Sequence, residues 1–357
     1  MTGRTEPRPI AMAPPRGTRR TAAWGVVVGI TVACLLSGCD SSIQSALVPR
    51  GPYAARLVEL WWVLFAVCTA VYLLVVGVLF YALLRRRRPQ EASGPGRERG
   101  KTRAVATGVA ATVLILFVLL VYSVFTGRAI ATPPDDTEAL TIEVIGHQFW
   151  WEVQYLDAVP SQNVTTAHEI HIPVGQPVRV QVQTRDVIHS FWVPNLHGKV
   201  DLIPGQVNTI WLQADAPGVF RGQCAEFCGL QHALMGFLVI AQPPAEFAAW
   251  LEHQRQPAAL PTDPAVARGQ EVFLSAPCIL CHTVRGTGTG AMGRVAPDLT
   301  HFGSRRTIAA ATLPNTRGNL AGWILDPQHI KPGNRMPAVH LAPADLQFLL
   351  DYLESLK

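Results

Sequence analysis

Three textures of hydrophobic and polar positions follow one another along the chain. From Leu57 to Leu84, and again from Ala104 to Thr126, the sequence is almost continuously apolar. Each run reaches the twenty or so residues that a bilayer core requires, and Trp61, Trp62 and Tyr81 suit its interfaces. Beyond Gly127 the pattern breaks into short alternating or β-branched runs. They lie at Leu140–Ile145, Trp151–Tyr155, Glu169–Pro173, Pro177–Gln183, Gln206–Gln213, Val219–Gln223 and Phe237–Ala241, separated by turn residues such as Gly175, Pro204-Gly205 and Pro217-Gly218. Short strands at this spacing predict an antiparallel sandwich or barrel. Helical periodicity then returns over Pro243–Gln254, Ala265–Ser275 and Pro343–Leu356, with a proline-rich, semi-rigid linker at 255–263. The expected architecture is a multi-domain membrane protein with a two-helix hairpin within 39–126, an all-β domain at 127–254 and an all-α domain at 264–357.

Charge sets the topology. The net +5 of the 357 residues hides segregation: residues 1–38 carry +4, the stretch 85–103 carries +6 and residues 104–357 carry −5. Positive residues stay cytoplasmic, so the 85–103 loop lies inside and everything after Gly127 lies outside. An acidic C-terminal part leaves a nucleic-acid role without support. Residues 1–38 read as a targeting segment: Arg16, Arg19 and Arg20 precede an apolar run at 22–36 that is short for a span. Leu36-Ser-Gly-Cys39 resembles a lipoprotein processing site, which makes Cys39 a lipidated N-terminus; an ordinary first membrane helix is the alternative.

The chemistry concentrates in Cys224-Ala-Glu226-Phe-Cys228-Gly-Leu-Gln-His232-Ala-Leu-Met235, preceded by His189 in Asp186-Val-Ile-His189-Ser-Phe-Trp-Val-Pro194. Thiolate, imidazole and thioether form a soft donor set that suits copper better than a hard cation. Two cysteines, two histidines, a methionine and a backbone carbonyl satisfy a dinuclear copper pair bridged by both thiolates. A four-coordinate zinc site or a disulfide remains open on these residues alone. Farther on, Cys278-Ile-Leu-Cys281-His282 is a c-type haem attachment signature, with His282 placed as the proximal iron ligand.

Three stretches carry a resemblance to cytochrome c oxidase subunit II: the Cys224–Met235 loop, Asp186 to Gly205, and Gly146-His-Gln-Phe-Trp-Trp-Glu-Val-Gln-Tyr155. The resemblance covers roughly residues 57–254 and implies a cupredoxin-like Greek-key barrel. It also implies a CuA centre held by the side chains of His189, Cys224, Cys228, His232 and Met235 and by the backbone carbonyl of Glu226. The Glu226 carboxylate would also reach a magnesium ion at the subunit I interface. Residues 264–357 resemble a class I cytochrome c, in which Lys331-Pro-Gly-Asn-Arg-Met336-Pro337 is similar to the loop bearing the axial methionine. A thioether ligand raises the haem potential and suits electron transfer; Met292 is the only other methionine of that domain.

The seven cysteines then divide without a pair left for a disulfide: Cys39 for lipid, two for copper, two for haem, Cys34 in the leader and Cys68 in a membrane helix. The reading is subunit II of a haem–copper oxidase of the caa type, with haem c passing electrons to CuA and on to subunit I for oxygen reduction coupled to proton pumping. Subunit III, a cytochrome c or bc complex as donor, and membrane lipid complete the expected partners, at a bacterial inner membrane. The linker suggests transfer governed by tether geometry. The alternative is an electron-shuttle lipoprotein outside any oxidase. A nitrous oxide reductase would need a further large domain, and a quinol oxidase subunit lacks the copper ligands.

Two departures stand out. The second apolar run opens on Lys101-Thr-Arg-Ala-Val-Ala-Thr-Gly108, without the carboxylate that many subunits II place at a proton channel. Phe149 occupies the position where the family has the tryptophan of electron uptake, leaving Trp150 or Trp151 as substitutes or as packing. His147, His168, His171 and His197 fit no ligand spacing and read as packing or surface residues.

Overall fold

The computed structural model describes residues 43–85, 95–132, 139–287, 293 and 295–357. The leader, Cys39 and Met292 lie outside the described residues. Helix α1 (Pro52–Leu84) starts on Gly51 with proline in its first turn, and α2 spans Pro95–Ala131. Both are longer than the apolar runs, because polar turns continue the helices past the hydrocarbon-length core. Both are long and apolar enough to cross a membrane, and their most apolar windows bury nothing against the protein. The start of α1 is tied to the β domain: Arg50 N–H donates to Asn195 O (2.8 Å), Ala54 N–H to Leu196 O (3.1 Å) and Asp215 N–H to Arg50 O (2.9 Å).

The β domain is a sandwich of two five-stranded sheets. One has the order β3-β2-β1-β5-β8 and the other β4-β10-β9-β6-β7. The strands are β1 Thr141–His147, β2 Trp150–Leu156, β3 Val164–Ala167, β4 Glu169–Pro173, β5 Val178–Thr184, β6 His189–Trp192, β7 Val200–Leu202, β8 Asn208–Leu212, β9 Gly218–Cys224 and β10 Gly236–Gln242. Strict alternation drives the inner faces together: β5 reads buried at Val178, Val180, Val182 and Thr184 and half-buried between. Trp151, Phe191 and Phe237 meet in the core with ring centroids 4.7 to 6.1 Å apart. The pattern of the chain does not announce β3, β6 and β7. They are three or four residues long, and the run 189–193 is buried at nearly every position, so alternation gives no signal there.

Helix α3 (Pro244–Arg255) closes the sandwich and α4 (Pro264–Ser275) opens the last domain, capped by Asp263 accepting from Ala265 and Val266 N–H. A short hairpin of β11 (Thr307–Ile308) and β12 (Leu313–Pro314) follows, then α5 (Arg317–Leu325), α6 (Pro327–Ile330) and α7 (Pro343–Ser355). Helices α4 and α7 cross at Gly269, where a Cβ would lie 1.9 Å from Phe348 O, so only glycine permits the approach.

The β and helical domains are packed into a joint, not hung on a tether. Glu169 Oε1, 4 % exposed, accepts from Arg306 N (2.8 Å), Thr307 N (3.0 Å) and Thr307 Oγ1 (3.3 Å). Ala309, Ala310 and Ala311 are all left-handed, at φ 53, 58 and 54°. That costs about 1 kcal/mol per residue for a side chain with a Cβ. In return, Ala310 O accepts Gly236 N–H (3.1 Å) and Ala311 O accepts Arg221 Nη1 (2.8 Å) across the joint. Ala311 packs with Leu238 and Ile240. The linker itself is pinned, Arg285 donating to Gln254 O and Arg255 O and Ala258 N–H to Arg285 O.

Lys331 sits in the middle, 2 % exposed, its Nζ donating to Phe149 O (3.3 Å) and Ala309 O (3.2 Å). Burial pushes the ammonium down to about 8 from its ordinary 10.5. The cost of a buried cation is therefore fully present below pH 8 and is relieved as the pH climbs towards 10.5. Urea unfolding of the full chain in detergent should show stability rising by about 3 kcal/mol at most over that window. Lys331→Met should abolish the slope. A wild-type slope that is flat or reversed would contradict this account of the joint.

Candidate metal and haem centres

The copper-type donors come from three places in the sandwich. Cys224 ends β9, His189 begins β6, and His232 and Met235 lie in the turn leading into β10. Strands β6 and β9 pair antiparallel with Phe191 opposite Cys224, which brings the His189 end of one strand to the cysteine end of the other. The loop is closed from below by Cys224 N–H donating to Met235 O (2.9 Å) and by the Trp151 indole N–H to the same carbonyl (3.3 Å).

Around this loop the donors converge. Cys224 Sγ lies 3.8 Å from Cys228 Sγ and 3.8 Å from His189 Nδ1; Cys228 Sγ lies 3.8 Å from His232 Nδ1 and 3.8 Å from Met235 Sδ. Glu226 O stands 3.2 Å from Cys224 Sγ. Both thiols are free and buried, their sulfurs almost twice as far apart as in a disulfide. Among the described residues, His189, Cys224 and Cys228 form the one group of three such donors whose ligand atoms all fall within 4.8 Å. Two thiols, two imidazoles and a thioether gathered in this way fit a soft metal such as copper. The Glu226 carboxylate points outward, 3.9 Å from Lys199 Nζ.

Asp186 organises the cluster. Its Oδ1 accepts from His189 Nε2 (2.8 Å), which leaves the Nδ1 lone pair facing Cys224. Its Oδ2 accepts from Gln148 N–H (2.7 Å), and Gln148 Nε2 donates to Cys228 O (2.8 Å). Partial burial would raise the Asp186 carboxyl, but the bonds from His189 and from the amides of Gln148 and Val187 outweigh it and hold it down at about 2. Burial opposes the His189 proton, and the Asp186 and Cys224 partners more than offset it, so the imidazole is raised. The adjacent Cys228 thiol and then the His189 donor hold Cys224 down as a thiolate, which in turn pushes Cys228 up. Gly146 makes room for this: a Cβ there would lie 2.9 Å from the His189 ring.

Neither Asp186 nor Gln148 was singled out by spacing. Asp186, three residues before His189, is the position where a carboxylate partner of the imidazole could have been sought. Trp151 is fully buried beneath the loop, while Trp150 is half-buried and stacks on His147 at 4.3 Å. His168 is buried beside Trp150, with Nδ1 unpartnered, and His197 is buried against Tyr53 at 5.2 Å. His171 stacks on Trp250 at 3.9 Å. None of these four histidines joins the donor cluster.

In the helical domain, Cys278, His282 and Met336 line one apolar crevice together with Phe273, Trp323 and Leu349. Cys281 follows one turn after Cys278, its N–H donating to Cys278 O (3.2 Å). His282 Nδ1 pairs with Pro297 O (2.8 Å), which fixes the ring and leaves Nε2 free for iron; burial lowers its pKa and keeps it neutral. A thiol, an oriented imidazole and a thioether around an apolar slot, with the Cys281 thiol one turn on, fit a haem.

Comparisons with known proteins find two domain families in the same two parts of the chain. The model of the cytochrome C oxidase subunit II periplasmic domain matches residues 140–242, that of cytochrome c matches 266–357, and a domain of unknown function matches 14–136. Cytochrome c oxidase subunit 2 of Alkalihalophilus pseudofirmus is 38 % identical over 329 residues, covering 90 % of this chain and 94 % of that one. Its counterpart in Bacillus subtilis is 32 % identical, covering 94 % and 98 %. The crystal structure of the periplasmic domain of subunit II from Bradyrhizobium japonicum is 34 % identical, covering 34 % of this chain and 96 % of that one, at a TM-score of 0.32.

Asp186→Asn should weaken copper binding by roughly 10- to 100-fold, the usual effect of removing the partner that orients a ligating histidine. Chelator competition followed by the copper absorption bands measures it, with the haem spectrum as an internal control. Unchanged affinity would remove Asp186 from the account.

Proposed function

The chain belongs to the cytochrome c oxidase subunit II family and carries a cytochrome c domain, and on that premise we propose that it conducts electrons from haem c through a dinuclear copper centre to subunit I. There, oxygen is reduced to water and protons are pumped. When bound, the two groups supply single-electron carriers that need no bond making or breaking in this chain. His189, Cys224, Cys228, His232, Met235 and Glu226 O would hold the copper pair, and Cys278, Cys281, His282 and Met336 the haem, attached through both thiols. The Glu226 carboxylate would serve a magnesium ion at the subunit I interface.

The observation that carries this reading is a contact between two loops: the loop bearing Met336 lies against the loop bearing the copper donors, with Gln231 Nε2 donating to Pro332 O at 2.5 Å. The residues then have simple tasks. Asp186 and Pro297 O hold two imidazoles in one tautomer and one orientation. Buried walls of Met235, Trp151 and Phe273 exclude water, which limits solvent rearrangement when charge moves. Trp150, half-buried beside the joint, and Trp151 beneath the loop are the candidates for aromatic relay.

The remaining parts follow from the same reading. Domain limits fall at 39–126, 127–254, 255–263 and 264–357, with residues 1–38 removed and Cys39 lipidated. Two spans put the copper and haem domains on the outer face of a bacterial inner membrane. Subunits I and III and a cytochrome c or bc donor are the partners.

Purification of the full chain in mild detergent tests this. A c-type haem spectrum, a mixed-valence dinuclear copper EPR signal and a co-purifying larger oxidase subunit are expected. Haem without that copper signal would overturn the copper assignment, and a chain that always purifies alone would overturn the oxidase role in favour of a shuttle.

A further inference from the structure

The residue next to Met336 reaches into the hydrogen bonds that support the copper donors. Arg335 Nη2 lies 3.1 Å from Gln148 Oε1 and 3.9 Å from Asp186 Oδ2. Gln148 passes the contact on to Cys228 O (2.8 Å), and Asp186 passes it to His189 Nε2 (2.8 Å). One guanidinium of the haem domain therefore leads by two short routes to two donors that are 39 positions apart in the sequence. Its backbone is fixed on both sides. Met336 N–H donates to Asn334 Oδ1 (2.8 Å), Gln328 Nε2 to Met336 O (3.0 Å), and Lys331 anchors the start of the loop on Phe149 O.

We propose that Arg335 is a positioning residue that registers the haem domain on the copper centre and sets that centre's potential through Asp186. The proposal rests on the electron-transfer reading above. Two effects follow from the geometry. Seated on Gln148, the guanidinium fixes the register between the Met336 loop and the Cys228 end of the copper loop. Its positive charge beside Asp186 also draws carboxylate density away from His189. The imidazole then donates less to the metal, which favours the reduced pair and raises its potential. The transferred electron leaves a ferrous haem ferric and takes the mixed-valence copper pair to the doubly cuprous state. No proton or bond is exchanged. Arg335 is 70 % exposed at its side chain, so its charge acts through solvent and fades as salt is added, the Debye length shrinking from about 10 Å at 0.1 M to 3 Å at 1 M.

The test uses the intact detergent-purified oxidase carrying Arg335→Gln, with Arg335→Lys as the conservative change and Gln148→Leu on the other side of the contact. Three readouts are taken: the haem spectrum including its methionine–iron band, the copper midpoint potential against ionic strength, and the rate of haem-to-copper transfer after flash reduction. Arg335→Gln should keep the haem spectrum, lower the copper potential, remove its salt dependence and slow internal transfer by roughly tenfold, the scale of one lost outer hydrogen bond. Arg335→Lys should restore the potential but only part of the rate, since an ammonium lacks the planar fork. Gln148→Leu should slow transfer by a similar factor with the haem untouched. A copper potential and transfer rate in Arg335→Gln equal to wild type, or a Gln148→Leu variant that transfers at the wild-type rate, would overturn the proposal. A wild-type protein without the mixed-valence copper signal would instead overturn the reading beneath it.

Discussion

The pairing of β6 with β9 is the constraint from which the rest of the molecule follows. It is a short ladder, Phe191 opposite Cys224 and Trp192 opposite Gln223, yet it decides that a histidine and a cysteine 35 positions apart share one end of a sheet. A slip of one residue would exchange the strand's two faces and carry His189 away from the sulfur. The register is protected by Phe191, wedged between Trp151 and Phe237, and by Ser190, whose hydroxyl donates to Asp201 Oδ1 at 2.8 Å. The relative placement of His189 and Cys224 is thus specified by packing as well as by pairing.

The helical domain solves a different problem. Phe273, Ile324, Leu349, Leu350 and Tyr352 anchor a core of its own. The joint with the sandwich gives it a second buried face, where Glu169, Lys331 and the carbonyls of three left-handed alanines meet. Buried charges of this kind contribute little net stability, since desolvation offsets most of the attraction. What they do supply is uniqueness: a carboxylate satisfied by two particular amides, and an ammonium by two particular carbonyls, tolerate one relative placement of the domains. An apolar patch such as Leu238, Ile240 and Ala311 alone would allow many.

Legibility in the sequence divides along physical lines. The two apolar helices, the β character of the middle and the helices at each end of the last domain follow from periodicity that long runs display. The donor residues could be named because their types are rare and their spacing short. Strands β3, β6 and β7 were hidden, being too short or too evenly buried to alternate. The outer partners were hidden too. Gln148 is an ordinary residue type whose importance lies in contacts of 38 and 80 positions' separation, and Asp186, though only three positions from His189, belongs to no ligand spacing. The packed joint is not legible in the linker's composition: prolines between 255 and 263 speak of stiffness, and nothing local reveals that Arg285 and His301 hold that segment down.

The joint also changes how the two halves are inherited. Where a carrier and its acceptor are separate proteins, each surface must suit a partner encoded elsewhere and shared with others. Here Phe149 O, Glu169, Ala309 to Ala311 and Lys331 are copied together in every generation. A substitution on one side of the joint meets the same opposite side in every descendant, and a compensating change needs no second gene. The surface between the domains is therefore free to drift as a matched pair, away from whatever shape a diffusing partner would have imposed.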